Sequence, residues 1–126
     1  MLTLICGPPN AGKTTLSRGF TDVVHVDEVR RPHDVLARVA ASDSICVEGV
    51  FARASERERL LRAYGRPDAR CIWLDVDERT SVAREARGRP AWALRACARD
   101  FEPPTLAEGW LEVMTKTVTK EGNSQK

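Results

Sequence analysis

Short apolar runs alternate along this chain with longer segments whose apolar positions fall on one helical face. A continuous apolar run suits a strand buried on both sides, and the alternation with helices predicts a parallel sheet. The runs Leu2–Cys6, Val23–Val26, Ser44–Val50, Cys71–Val76 and Trp110–Met114 therefore predict five strands. The fold class is α/β, a five-stranded parallel sheet flanked by helices.

The segments between the strands carry their own punctuation. A first helix should start at Gly12 and stop near Gly19, with Leu16 and Phe20 four apart on one face. Asp34 is a cap for Val35–Ala41. Ser55 and Glu58 have capping-box spacing, Leu60, Leu61 and Tyr64 supply an apolar face, and Gly65 ends that helix. Another runs from Asp77 to Arg87 and is stopped by Gly88, and Pro90 opens a last one through Phe101 before Pro103 and Pro104 break it. From Lys116 to Lys126 the chain is polar and without period, which predicts a frayed tail after a single domain spanning 1–115.

A length of 126 residues suits one domain with one core, and 42% hydrophobic with 30% charged residues is a globular balance. The net charge of +2 conceals two arginine-rich stretches, Arg53 to Arg66 and Arg79 to Arg99. Arginine suits bidentate phosphate contact, and equally a solvated helix face paired with Glu56, Glu58, Glu78 and Glu85. The chain opens without a basic leader, and no run approaches the roughly 20 apolar residues of a membrane span, so a cytosolic protein without membrane contact is expected. Cys6, Cys46, Cys71 and Cys97 lack metal-ligand spacing and read as small buried hydrophobes rather than disulfide or zinc partners. Trp73 and Trp92 read as core residues, Trp110 as either core or surface, and His25 and His33 as structural.

The chemistry concentrates in Gly7–Thr14, GPPNAGKT, a full match to G-x-x-x-x-G-K-[ST] lying between an apolar strand and a helix. Such a loop turns backbone N–H groups inward around phosphate, so Gly7, Pro8, Asn10, Ala11, Gly12, Lys13, Thr14 and Thr15 are the expected contacts of ATP. Lys13 reaches the β- and γ-phosphates, and the Thr14 hydroxyl is a ligand for Mg²⁺. Ligands of such sheets bind beyond the carboxyl ends of the strands, so Asp27 should share a crevice with Lys13 and act as base toward an attacking hydroxyl, unless it is a helix cap or surface acid. Glu48, at the end of the third strand, either holds metal-bound water or pairs with a nearby arginine. Thr80, Arg84 and Arg87 follow one helical stripe, as a lid over the triphosphate or as a solvated face balanced by Glu85.

Four pieces together resemble the polynucleotide kinase group of P-loop kinases: GPPNAGKT at Gly7–Thr14, VDEVR at Val26–Arg30, AREARGRP at Ala83–Pro90 and FEPPTLAEGW at Phe101–Trp110. The last is similar to the segment before the final strand in the kinase domain of animal polynucleotide kinase-phosphatases. The resemblance implies Asp27 as general base, Arg30 on a phosphate of the acceptor strand, Arg87 as the lid cation and Glu48 at the acid position of the third strand; Arg84 joins Arg87 as an expected contact of ATP, and Glu48 and Arg53 join Arg30 on the acceptor side. It also implies that Phe101 to Leu106 lies near the nucleobase of ATP. The expected acceptor is then the 5′-hydroxyl of DNA or RNA. A hydroxymethylated uracil in DNA or a small nucleoside-like metabolite is the alternative, and a regulator that holds ATP without transferring it is the reading from a different class.

Overall fold

The computed structural model describes residues 1–118 and the backbone of 119 and 122–125. The strands are β1 (Leu2–Cys6), β2 (Val23–His25), β3 (Ile45–Gly49), β4 (Ala69–Val76), β5 (Glu112–Thr119) and β6 (Gly122–Gln125). They form one sheet in the order β2-β3-β1-β4-β5-β6. The first five pair in parallel, as the apolar runs predict, and β6 adds antiparallel to the β5 edge. The helices are α1 (Lys13–Ser17), α2 (Pro32–Ala40), α3 (Ala54–Tyr64), α4 (Glu78–Ala83) and α5 (Ala91–Arg99).

Both faces of the sheet are covered, which is why its central strands carry almost no polar residues. On one face Leu2, Leu4 and Cys6 pack with Val35 and Val39 of α2, with Leu60 and Tyr64 of α3, and with Phe101 and Trp110. On the other, Ile5, Ile72, Leu74 and Val76 pack with Ala11, and Leu16 of α1 and Phe20 lie against them. Leu4 sits at the centre of the sheet, beside Val47 on one strand and Cys71 on the other, and is fully buried. Cutting it to alanine should cost about 2–5 kcal/mol.

Several boundaries differ from expectation for local reasons. The N-cap of α2 is Arg31 and its first residue is Pro32, so Asp34 lies within the first turn, where its charge suits the helix dipole, rather than capping. α3 begins at Ala54, and Glu56 Oε1 accepts the Arg53 amide at 3.1 Å, so the Ser55–Glu58 box does not form. Gly65 closes α3 in the left-handed conformation, as expected. Asp77 caps α4 by accepting from the Thr80 amide at 2.7 Å, but α4 ends at Ala83 instead of reaching Arg87.

The last strand differs most. β5 starts after Trp110 and runs through Thr119, because β4 offers a long edge whose register extends from Arg70–Glu112 to Val76–Val118. Ladder hydrogen bonds do not depend on side-chain polarity, so the polar stretch from Lys116 continues the sheet instead of fraying. Residues 120, 121 and 126 of the expected tail lie outside the described residues.

Trp73 stacks on Phe101 at 5.9 Å and Trp110 is buried, whereas Trp92 on α5 is 74% exposed and not a core residue. Cys6, Cys46 and Cys71 are buried free thiols and Cys97 is half-buried. Among the described residues no helix is long and apolar enough to cross a membrane.

Candidate active site

β1 ends at the phosphate loop, and the loop is wedged into the sheet. The Gly7 amide donates to the Val50 carbonyl at 3.2 Å. A Cβ on Gly7 would stand 2.6 Å from the Leu74 carbonyl oxygen, so no other residue fits there. Asn10 (φ 69°) and Gly12 (φ 94°) take left-handed conformations that curl the loop into α1. The Ala11 side chain is fully buried and anchors the loop to the core.

Lys13 Nζ is buried and donates to the Gly7 carbonyl at 3.0 Å and the Pro8 carbonyl at 2.9 Å. Burial lowers its pKa, against the pull of Glu48 and Asp27, which favour the ammonium. Thr14 Oγ1 donates to Glu48 Oε1 at 3.3 Å, and His25 Nδ1 lies 2.9 Å from the same oxygen. Glu48 is buried and engages this histidine and threonine, rather than an arginine as one reading of the sequence had it. The hydroxyl of Thr14 and the Glu48 carboxylate are hard oxygen donors side by side, a set that fits Mg²⁺.

β2 leads into a short 3₁₀ turn, Val26–Glu28, that carries Asp27 to the mouth of the site. A crevice of ≈ 230 Å³ is lined by Lys13, Thr14, Thr15, Asp27 and Glu48, together with Arg87 and Arg89 from the opposite side. Asp27 and Lys13 thus face the same space.

The lid follows α4. Its arginines do not form one stripe, because α4 stops at Ala83 and Gly88 (φ 77°) turns the chain back on itself. Arg84 Nη1 donates to the Asn10 carbonyl at 3.3 Å and bridges lid to loop, while Arg87 and Arg89 line the crevice. Glu85 organises the segment: it accepts from Arg89 Nη2 and from Asn10 Nδ2, both at 2.9 Å, and from the Arg89 amide at 2.8 Å. These bonds, Arg89 first and Asn10 next, hold the Glu85 carboxyl at a pKa of about 2. Asn10 also donates to the Ser81 carbonyl, and Ser81 Oγ donates to the Pro9 carbonyl, both at 2.8 Å.

Sequence reasoning missed Arg89, Glu85, Ser81 and His25. Ser81, Glu85 and Arg89 each reach the loop through a bond to Asn10, more than 70 positions away. The four-residue spacing of Glu85 and Arg89 was the local signal that could have found that pair. Arg30 and Arg53 are exposed and line neither the crevice nor its neighbouring cavity.

That neighbouring cavity, ≈ 250 Å³, shares Asp27 and Val50 with the crevice and is otherwise walled mainly by Val26, Pro32, Val35, Leu36, Phe51 and Leu60. Phe51 adopts φ 44°, and its carbonyl accepts from Arg57 Nη1 at 2.7 Å. Arg57 is fully buried and forks onto Glu108 with two bonds of 2.9 Å, and Trp110 Nε1 donates to Glu108 at 3.1 Å. The Phe101–Trp110 segment therefore buttresses the connection between β3 and α3. Phe101 faces the core against Trp73, and Glu102 Oε1 accepts the Ala54 amide at 2.8 Å.

Strand order, loop and lid together define the P-loop kinase fold. Solved structures of similar shape include a gluconokinase from Sinorhizobium meliloti 1021, at 14% identity and TM-score 0.68, matched over 91% of this chain and 81% of that one. A sugar kinase from Janibacter sp. HTCC2649 matches at 18% identity and TM-score 0.67, over 90% and 84% of the two chains. No protein-family model and no curated protein matches the sequence.

Proposed function

We propose that this protein transfers the γ-phosphoryl group of ATP to a hydroxyl, and that the hydroxyl is the 5′ end of a nucleic acid. The observation that carries the reading is the shared crevice of Lys13 and Asp27. Asp27 accepts the proton of the attacking hydroxyl, whose oxygen bonds to the γ-phosphorus as the bond to the β,γ-bridging oxygen breaks and ADP leaves. Lys13 exchanges its loop carbonyls for phosphate oxygens, and Arg87, exposed at the rim, neutralises charge on the transferring group. Mg²⁺ on Thr14 and the Glu48 side would neutralise the phosphates further when bound.

Arg30, three residues past Asp27, and Arg53, two past Phe51, are exposed outside both spaces, where cations suit a polyanion longer than one residue more than a neutral metabolite. A small-molecule acceptor is the second reading, favoured by the solved neighbours, which are named as a gluconokinase and a sugar kinase. Incubation with γ-labelled ATP and a panel of 5′-hydroxyl oligonucleotides, hydroxymethyluracil DNA, nucleosides, gluconate and hexoses separates the two. Label on 5′-hydroxyl oligonucleotides is the expected outcome. Label confined to gluconate or a hexose would replace this reading with the second. Bound ATP with no label transferred to any acceptor would make the protein a nucleotide-holding regulator.

A further inference from the structure

The apolar cavity beside the phosphate crevice has no counterpart in the transfer chemistry itself, which needs only charge and a base. It opens onto that chemistry, because Asp27 and Val50 wall both spaces. A group seated in it is therefore attached to the hydroxyl that Asp27 faces. We propose that this cavity is the acceptor-base site: it takes one flat heterocyclic ring, the nucleobase of the residue that bears the reacting 5′-hydroxyl. This inference rests on the nucleic-acid kinase reading above and names what that kinase grips.

Three observations select the occupant. The walls are Val26, Val35, Leu36, Val50, Phe51 and Leu60, which offer dispersion contact to a ring but no hydrogen bonds. A polyol pressed against these walls would leave its hydroxyls unpaired, so gluconate and free hexoses are poor occupants. At ≈ 250 Å³ the space is just under the ~300–1,000 Å³ of pockets that enclose whole drug-sized ligands, so it suits one ring system rather than an extended chain.

The polar groups are confined to the rim and differ in sign. Glu56 and Arg59 stand one helical turn apart on α3 and both line the opening. Glu56 Oε1 is committed to the Arg53 amide, leaving Oε2 to accept from an exocyclic amino group. Arg59 makes no hydrogen bond or ion pair among the described residues, and its guanidinium is available to a ring nitrogen, a carbonyl edge or the ring face. An apolar slot with one acceptor and one donor at its lip matches the edge of a nucleobase.

The cavity is also held open. Phe51 keeps its left-handed backbone because Arg57 binds its carbonyl, and Arg57 is itself fixed on Glu108. The FEPPTLAEGW segment, Phe101 to Trp110, thus serves the acceptor pocket.

The test compares two 5′-hydroxyl oligonucleotides that differ only in the first residue, one carrying a base and one abasic. Loss of the base should raise KM at least about tenfold while kcat stays within about twofold. Leu36→Ala, which removes part of a wall, should raise KM for the base-bearing strand and leave the abasic strand unmoved. Arg59→Ala, at an exposed position that threatens no core contact, should raise KM for the base-bearing strand more than for the abasic one, and supplies the comparison if Leu36→Ala fails to fold. Equal KM for the two strands overturns the base site and leaves the kinase reading standing. Label on neither strand overturns the kinase reading, and the base site with it.

Discussion

Lys13 and Asp27 divide the proposed chemistry into binding and proton removal, and variants should separate the two. Lys13→Ala should abolish both label transfer and tight ATP binding, because it removes the point charge under the phosphates. Asp27→Asn should leave the ATP dissociation constant within about twofold and cut turnover by ~10²–10⁴, the usual worth of a general base. Nucleotide titration beside a single-turnover assay checks both, and full turnover in Asp27→Asn would remove it as base. Glu85 makes a pH prediction. Its pKa is held at about 2 against an ordinary 4.5, so its contribution to stability is present above pH 4.5 and is lost as pH falls toward 2. Glu85→Gln should flatten the acid limb of a melting-temperature profile in that window. Lys13, Thr14 and Asp27 were legible in the sequence because a loop motif or a strand end positions each of them locally. Arg89 and His25 were not, since Asn10 and Glu48, the partners that bring them to the site, are distant in sequence.

Elements explain why the lid was misread. A helix through Arg87 would put Arg84 and Arg87 on one stripe, but α4 ends at Ala83, so Arg84 bonds the loop and Arg87 and Arg89 enter the crevice. Propensity favoured continuation, and the turn at Gly88 together with the grip of Glu85 on Arg89 overrode it. The strands were easier, since β1 and β3 are almost wholly apolar and have a neighbour on both sides. Two substitutions test how elements hold the site. Gly7→Ala would press a methyl group against the Leu74 carbonyl, so the loop must shift, and ATP affinity should fall at least about tenfold in titration calorimetry. Arg57→Met would leave Glu108 buried without its cation, at a cost of ~3–5 kcal/mol read from urea unfolding. Loss of the anchor of Phe51 should also raise KM for the acceptor more than for ATP.

The whole molecule carries a formal charge of only +2, so long-range attraction to a polyanion is weak and the local arginines must supply it. Raising salt from about 50 to about 200 mM should therefore raise KM for an oligonucleotide in a log-linear manner. A salt-insensitive KM would mark a neutral acceptor. The sheet order has a consequence for how the molecule is made. The phosphate-binding turn leaves the ribosome ahead of its own walls, the Val50 carbonyl just after β3 and the Leu74 carbonyl within β4, which are synthesised later. A nascent chain halted before residue 74 owns every residue of the Gly7–Thr14 signature and none of the masonry around it. Ribosome-bound chains of increasing length should gain retention on immobilised ATP only once β4 has emerged, which makes nucleotide capture a marker of finished folding rather than of finished motif.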